Sequence, residues 1–229
     1  MKIKRLSINL LSLITLLFFS CSKEKNVETP VFKGGTEYMV TFNIDWNSTD
    51  FPTNYPSNAH FSKLIGWSHD STQNFFKIGD FASIGLKNMA ETGATSPLDA
   101  EFVELINEGK GFNYFIGGNL SKGTGEIILN VEVTKEYPSV TLATMIAPSP
   151  DWFIAVENIN LLENNSFVNQ KIVDARVYDA GTDDGATYTS PNKITSPQKP
   201  ITLFFDSPLG NGLKLNATIA TVTFTKLWK

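Results

Sequence analysis

Met145-Ile146-Ala147-Pro148-Ser149-Pro150-Asp151-Trp152-Phe153 and, further on, Asp179-Ala180-Gly181-Thr182-Asp183-Asp184-Gly185 decide how this chain is read. The first stretch is a strand end, a proline-fixed turn and the start of a new strand. Proline cannot donate to a central ladder, so Pro148 and Pro150 place Asp151 at a sheet edge or in a loop. The second stretch is a tight acidic turn whose glycines permit backbone angles closed to other residues. Asp151, Asp179, Asp183 and Asp184 have no Lys or Arg beside them in sequence. Mutually repelling oxygen donors on flexible loops suit Ca²⁺ better than Zn²⁺. The spacing is not that of an EF-hand: counted from Asp179, the sixth position is Asp184 and the twelfth Ser190. An Asx-rich surface turn without metal is the other reading of the same residues.

Outward from these loops the chain alternates with the period of strands. Val40, Phe42, Ile44 and Trp46 fall on one face of a strand over Met39–Trp46. Ile127, Leu129, Val131 and Val133 do the same over Gly125–Thr134, and Val140, Leu142, Thr144 and Ile146 over Ser139–Ala147. Glu136-Tyr137-Pro138 would join the last two as a hairpin. Further strands are expected at Trp152–Val156, Lys171–Tyr178, Ile201–Phe205 and Leu213–Phe224, the last with a bulge near Ile219-Ala220. Helical spacing is confined to Phe81–Met89 and Leu98–Glu108. Ser96 would cap the second helix with Pro97 as its first residue, and both helices would plug one end of the sheets. About eight strands separated by turn signals predict an all-β, antiparallel β-sandwich with one or two short helices.

The two opening stretches, with Ser190-Pro191-Asn192, resemble the spondin domain family, the N-terminal-type domain of F-spondin and mindin. Upstream, His60-Phe61-Ser62, Leu64-Ile65-Gly66, His69, Gly85-Leu86 and Ala90-Glu91-Thr92-Gly93 fall in the order expected of that family, and the resemblance covers about residues 37–229. It implies a C2-like sandwich with one Ca²⁺ in its loops, held by the positions matching the family's two motifs: Asp151, Asp179 and Asp183. Asp184 is not carried over. It also implies extracellular recognition of a carbohydrate or protein ligand. Animal members are disulfide-bonded, and here this chain departs, because Cys21 is its only cysteine.

The N-terminus reads as a targeting segment. Lys2, Lys4 and Arg5 precede an apolar run over Leu10–Phe19 too short to span a bilayer, and Ser20-Cys21 resembles a bacterial lipobox. The expected organisation is therefore a signal peptide over 1–20, a tether over 21–36 starting at a lipidated Cys21, and one spondin-like domain over 37–229, attached to the bacterial outer membrane. Loss of the three leader cations takes the formal charge from −4 to −7. An acidic chain without basic clusters argues against nucleic acid or bare anionic lipid as a partner, so membrane contact would come from the lipid anchor alone. No Gly-x-Ser-x-Gly, His-Glu-x-x-His or Cys/His pair is present, and the chain is expected not to be an enzyme. A metal-assisted hydrolase using His69 beside the acidic loop, and a purely structural lipoprotein, are the alternatives. His60 and His69 match no zinc spacing and are expected to be hydrogen-bonded in turns. Phe112-Asn113-Tyr114-Phe115 would serve binding if it faced solvent and the core if packed.

Overall fold

A computed structural model describes residues 35–228. The expected signal peptide, Cys21 and most of the tether lie outside the described residues. In chain order the elements are β1 (Thr36–Asp45), β2 (His60–Phe61), β3 (Ile65–His69), α1 (Ile84–Thr92), α2 (Leu98–Asn107), β4 (Gly111–Ile116), β5 (Thr124–Val133), β6 (Ser139–Ala147) and β7 (Trp152–Asn160). They continue with β8 (Leu162–Glu163), β9 (Ser166–Phe167), β10 (Gln170–Asp174), β11 (Arg176–Asp179), β12 (Thr202–Leu203) and β13 (Ala220–Lys226). Eleven of these strands build the two layers, and the two-residue strands β8 and β9 pair only with each other.

The strands form two antiparallel layers. One sheet has the order β10-β13-β1-β5; the other runs β12-β11-β7-β6-β3-β4, with β2 paired to β6. This is the expected antiparallel sandwich. The alternating residues of β1 and β5 point inward as predicted, and Tyr38, Val40, Phe42 and Ile44 meet Val140, Leu142, Ile154 and Val177 of the opposite sheet in one core. β6 is buried at every position. Its even residues face the other sheet, while Ala143, Met145 and Ala147 lie under the helices in a second core with Leu86, Met89, Leu98 and Phe102. A strand covered on both faces cannot show one polar side.

The helices therefore lie on the outer face of the larger sheet and do not plug an end, because their apolar stripes match the outward residues of β3, β6 and β7. Ser83 caps α1, its hydroxyl accepting from the Leu86 N–H at 3.1 Å. Glu101 of α2 accepts from the Ser83 hydroxyl and the Gly85 N–H at 2.6 and 2.7 Å, which ties the two helices together. α2 begins at Leu98 with Pro97 in the capping position and no side-chain cap, so Ser96 does not play that part.

Three connections differ from expectation. β5 and β6 are not a hairpin: the 134–138 turn carries the chain from one sheet to the other. The predicted strand over Lys171–Tyr178 is two strands in different sheets, with Ala175, buried and bonded to the Ala220 carbonyl, at the crossing. Leu213 is largely exposed, and only Ala220–Lys226 forms the last strand. Local alternation records which face a residue takes, but not which sheet its strand joins.

Candidate functional site

The proline turn between β6 and β7 is held by Ser149, whose hydroxyl accepts from the Trp152 N–H at 3.1 Å. Asp151 follows, completely buried. Its Oδ2 accepts three hydrogen bonds from the acidic loop: Thr182 N–H at 2.7 Å, Thr182 Oγ1 at 3.2 Å and Asp183 N–H at 3.1 Å. Its backbone carbonyl accepts from Ala180 N–H at 3.2 Å. One turn thus organises the other.

Asp179 ends β11 opposite Trp152 of β7, and its Oδ1 accepts from the Gly181 N–H at 2.8 Å. Gly181 has φ +71°, and a Cβ there would lie 2.2 Å from the Lys199 carbonyl oxygen, so both backbone angle and space require glycine. Asp183 turns its carboxylate into its own loop, Oδ1 accepting from Gly185 N–H at 2.7 Å and Oδ2 from Lys193 N–H at 3.2 Å. Asp184 is paired with Lys199 and accepts from the Thr195 hydroxyl at 3.1 Å. Lys199 is the cation that linear inspection missed; only the return of the chain through Pro200 to β12 brings it beside the loop.

The structure therefore brings Asp151 and Asp179 together and gives Asp183 a local backbone role. Among the described residues, no group of three or more His, Cys, Asp or Glu side chains is arranged to hold a metal ion. Two features of the pair nevertheless fit a hard cation. Asp151 Oδ1 is buried without a hydrogen-bond partner. Burial, reinforced by the Asp179 charge, pushes the Asp151 carboxyl up to about 7, against the Thr182 and Asp183 hydrogen bonds. Asp179 is also raised, chiefly by burial. The Gly181 N–H opposes this, as does the nearby Trp152 indole, although its N–H completes no hydrogen bond. Lys199 also opposes the Asp179 shift, but its ammonium is paired with Asp184, and an oxygen-ligated cation would offset the charge that remains on a buried and a half-buried carboxylate.

The histidines take no part in this cluster. His60 Nδ1 lies 2.7 Å from the Asn58 carbonyl. His69 is buried, with Nε2 2.9 Å from Thr141 Oγ1, Nδ1 2.8 Å from the Asp70 carbonyl, and its ring stacked on Trp67. It pairs with Ser139 at the start of β6, whereas the proline turn follows the far end of that strand. Nine extended residues separate the two by roughly 25 Å, so His69 and the acidic loop do not form one site. Phe112–Phe115 is part of β4, not a loop. Tyr114 stacks on Phe102 and Phe112 on Tyr137, which withdraws this stretch as a binding surface.

Burial lowers His69 from its ordinary 6.5 to about 4. As pH falls the unfolded chain takes the proton first, so this contribution to stability is complete above 6.5 and lost by about 4, an amount of about 3 kcal/mol. The stability advantage of the natural protein over His69→Gln is expected to shrink by about that much between pH 7 and pH 4. Urea unfolding of both proteins at each pH checks this, and a constant difference would show that His69 titrates normally.

The class of domain is a two-sheet antiparallel sandwich with short helices on one outer face, here with a buried Asp151 beside a half-buried Asp179 at one pole. The family model described as Spondin_N matches residues 36–208, and the chain belongs to this family. It is 34% identical to human Spondin-2 over 171 residues, covering 72% of this chain and 51% of that protein. To rat Spondin-2 it is 33% identical over 203 residues, 83% of this chain and 61% of the relative. Human Spondin-1 is 32% identical over 174 residues, 73% of this chain and 22% of that much longer protein. The chain thus spans about half to three-fifths of the Spondin-2 proteins it matches.

Proposed function

We propose that this protein is a calcium-dependent recognition module of the cell envelope. It is anchored through a lipidated Cys21 to the bacterial outer membrane and binds an extracellular carbohydrate or protein ligand at its acidic-loop pole. The observation that carries the reading is the buried, unpartnered Asp151 Oδ1 beside Asp179. Calcium would be held by Asp151 and Asp179, with Asp183 as a third carboxylate and backbone carbonyls or water completing the shell. The ion supplies positive charge that relieves the Asp151–Asp179 repulsion and fixes the two turns against each other. Kinship with the spondins supports recognition in place of catalysis.

Residues 22–229 include all of the described residues, 35–228. After treatment with chelator, thermal unfolding of this chain is expected to shift upward and saturate on titration with Ca²⁺, by about 2.7 kcal/mol at a hundredfold excess over Kd. Mg²⁺ should give less, and Asp179→Asn and Asp183→Asn should each weaken the response. A flat titration would leave the loops as ordinary turns and sink the proposal; an unchanged Asp183→Asn response would remove that residue from the ligand set. The packed β4 aromatics favour a second reading, a domain that the ion only stabilises. Saturable binding of glycans or surface proteins that vanishes with chelator separates the two.

A further inference from the structure

β5 is a ten-residue edge. It pairs with β1 along its whole length and, among the described residues, with no strand on its other side. Among the described residues, none of its backbone N–H or C=O groups bonds anywhere outside the β1 ladder. Edges of this kind are usually blunted by proline, lysine or a bulge. Over Gly125–Val131 this one has no proline, no Lys or Arg and an unbroken register, and its one charge is Glu126. Ile128, 52% exposed, stands on the outer face between exposed Glu126 and Asn130.

We propose that this edge pairs with the same edge of a second copy of the chain, antiparallel and about a two-fold axis at Ile128. The sequence is self-complementary in that register. Ile128 faces Ile128, Ile127 faces Leu129, Gly125 faces Val131, and the Glu126 carboxylate faces an Asn130 amide that can donate to it. Moving the axis to Leu129 sets Glu126 against Glu132, and moving it to Ile127 sets Glu126 against Ile128, so neighbouring registers oppose like charges or leave the acid unmatched. The pairing ends at Val131, because the Glu132 carboxylate is buried and takes the Gly35 N–H at 2.7 Å. The two four-stranded sheets would become one continuous layer. A seven-residue ribbon buries little area, so the dimer is a weak, concentration-dependent one. It is independent of calcium.

The test is sedimentation velocity of residues 22–229 at increasing concentration, with chelator present. A reversible dimer at tens to hundreds of micromolar is expected. Asn130→Lys, which would meet Glu126, should tighten it by about fivefold, and Asn130→Glu should weaken it by a similar factor. Opposed Cα atoms lie about 4.5–5.5 Å apart, within disulfide reach. Ile128→Cys should therefore cross-link to a dimer on mild oxidation, while Ile172→Cys on the opposite edge strand stays monomeric. A protein that remains monomeric throughout and does not cross-link at position 128 overturns the proposal. So does a dimer indifferent to residue 130, or one that forms only when residues 22–34 are removed, since the edge would then be covered by the chain's own preceding segment.

Discussion

Asp151→Asn is expected to stabilise the metal-free protein and, by the same change, to abolish its response to calcium. At pH 8 the natural carboxylate is ionised against an elevated pKa of about 7, with Asp179 beside it and one oxygen unpartnered. Asparagine keeps an oxygen to accept from Thr182 and Asp183, and its amide can donate toward Asp179. Removing the buried charge is expected to add about 2 kcal/mol in chelator, a part of the roughly 4 kcal/mol that the full shift represents. Asp151→Ala has the opposite sign. It strands two backbone N–H groups and a hydroxyl that now bond to Oδ2, at a cost of about 3–5 kcal/mol with or without calcium. Urea unfolding of the three proteins, with chelator and with calcium, checks both. An asparagine variant less stable than the natural protein in chelator would show that the charge is already compensated and that no cation is needed.

Trp152→Ala is expected to cost about 3–5 kcal/mol. The indole is fully buried, stacks on Phe204 with ring centroids 4.2 Å apart, and meets Tyr188 edge-on at 5.8 Å. Tyr188 in turn packs on Trp46 at 5.3 Å, so the cavity would open where the inter-sheet core meets the acidic loop. Because Trp152 opposes Asp179 in the ladder, the same variant should also weaken calcium stabilisation. Trp152→Phe keeps the stack and loses an indole N–H that has no partner, so it should cost much less. A thermal unfolding pair settles the ranking; equal losses for the two variants would mean that shape, not burial, dominates at this position.

The strands were legible wherever one face met water. β1 and β5 alternate cleanly because their outer face is open to solvent. β6 also appeared as alternating, yet it is buried throughout: Ala143, Met145 and Ala147 are small or flexible enough to sit beneath helices. The sheet crossings at 134–138 and Ala175 were not legible, since partner choice depends on residues far away in sequence. At the candidate site, the turns pointed to Asp151 and Asp179, which the fold places beside each other. Lys199 carried no local signal, and the inward turn of the Asp183 carboxylate depends on the Lys193 N–H across the loop.

The pairing of β1 with β13 sets Tyr38 beside Lys226, while the other end of β1 leads into Trp46 and, through Tyr188, to Trp152. The chain thus arrives at Thr36 and departs near Lys226 at one pole, with the acidic turns at the other. β1 is a strut of ten residues, roughly 34 Å long, between them. A ligand that reaches the carboxylate turns approaches the pole opposite Thr36 and Lys226. Immobilisation through the turns would mask that pole, whereas attachment beside Thr36 or Lys226 would leave it open.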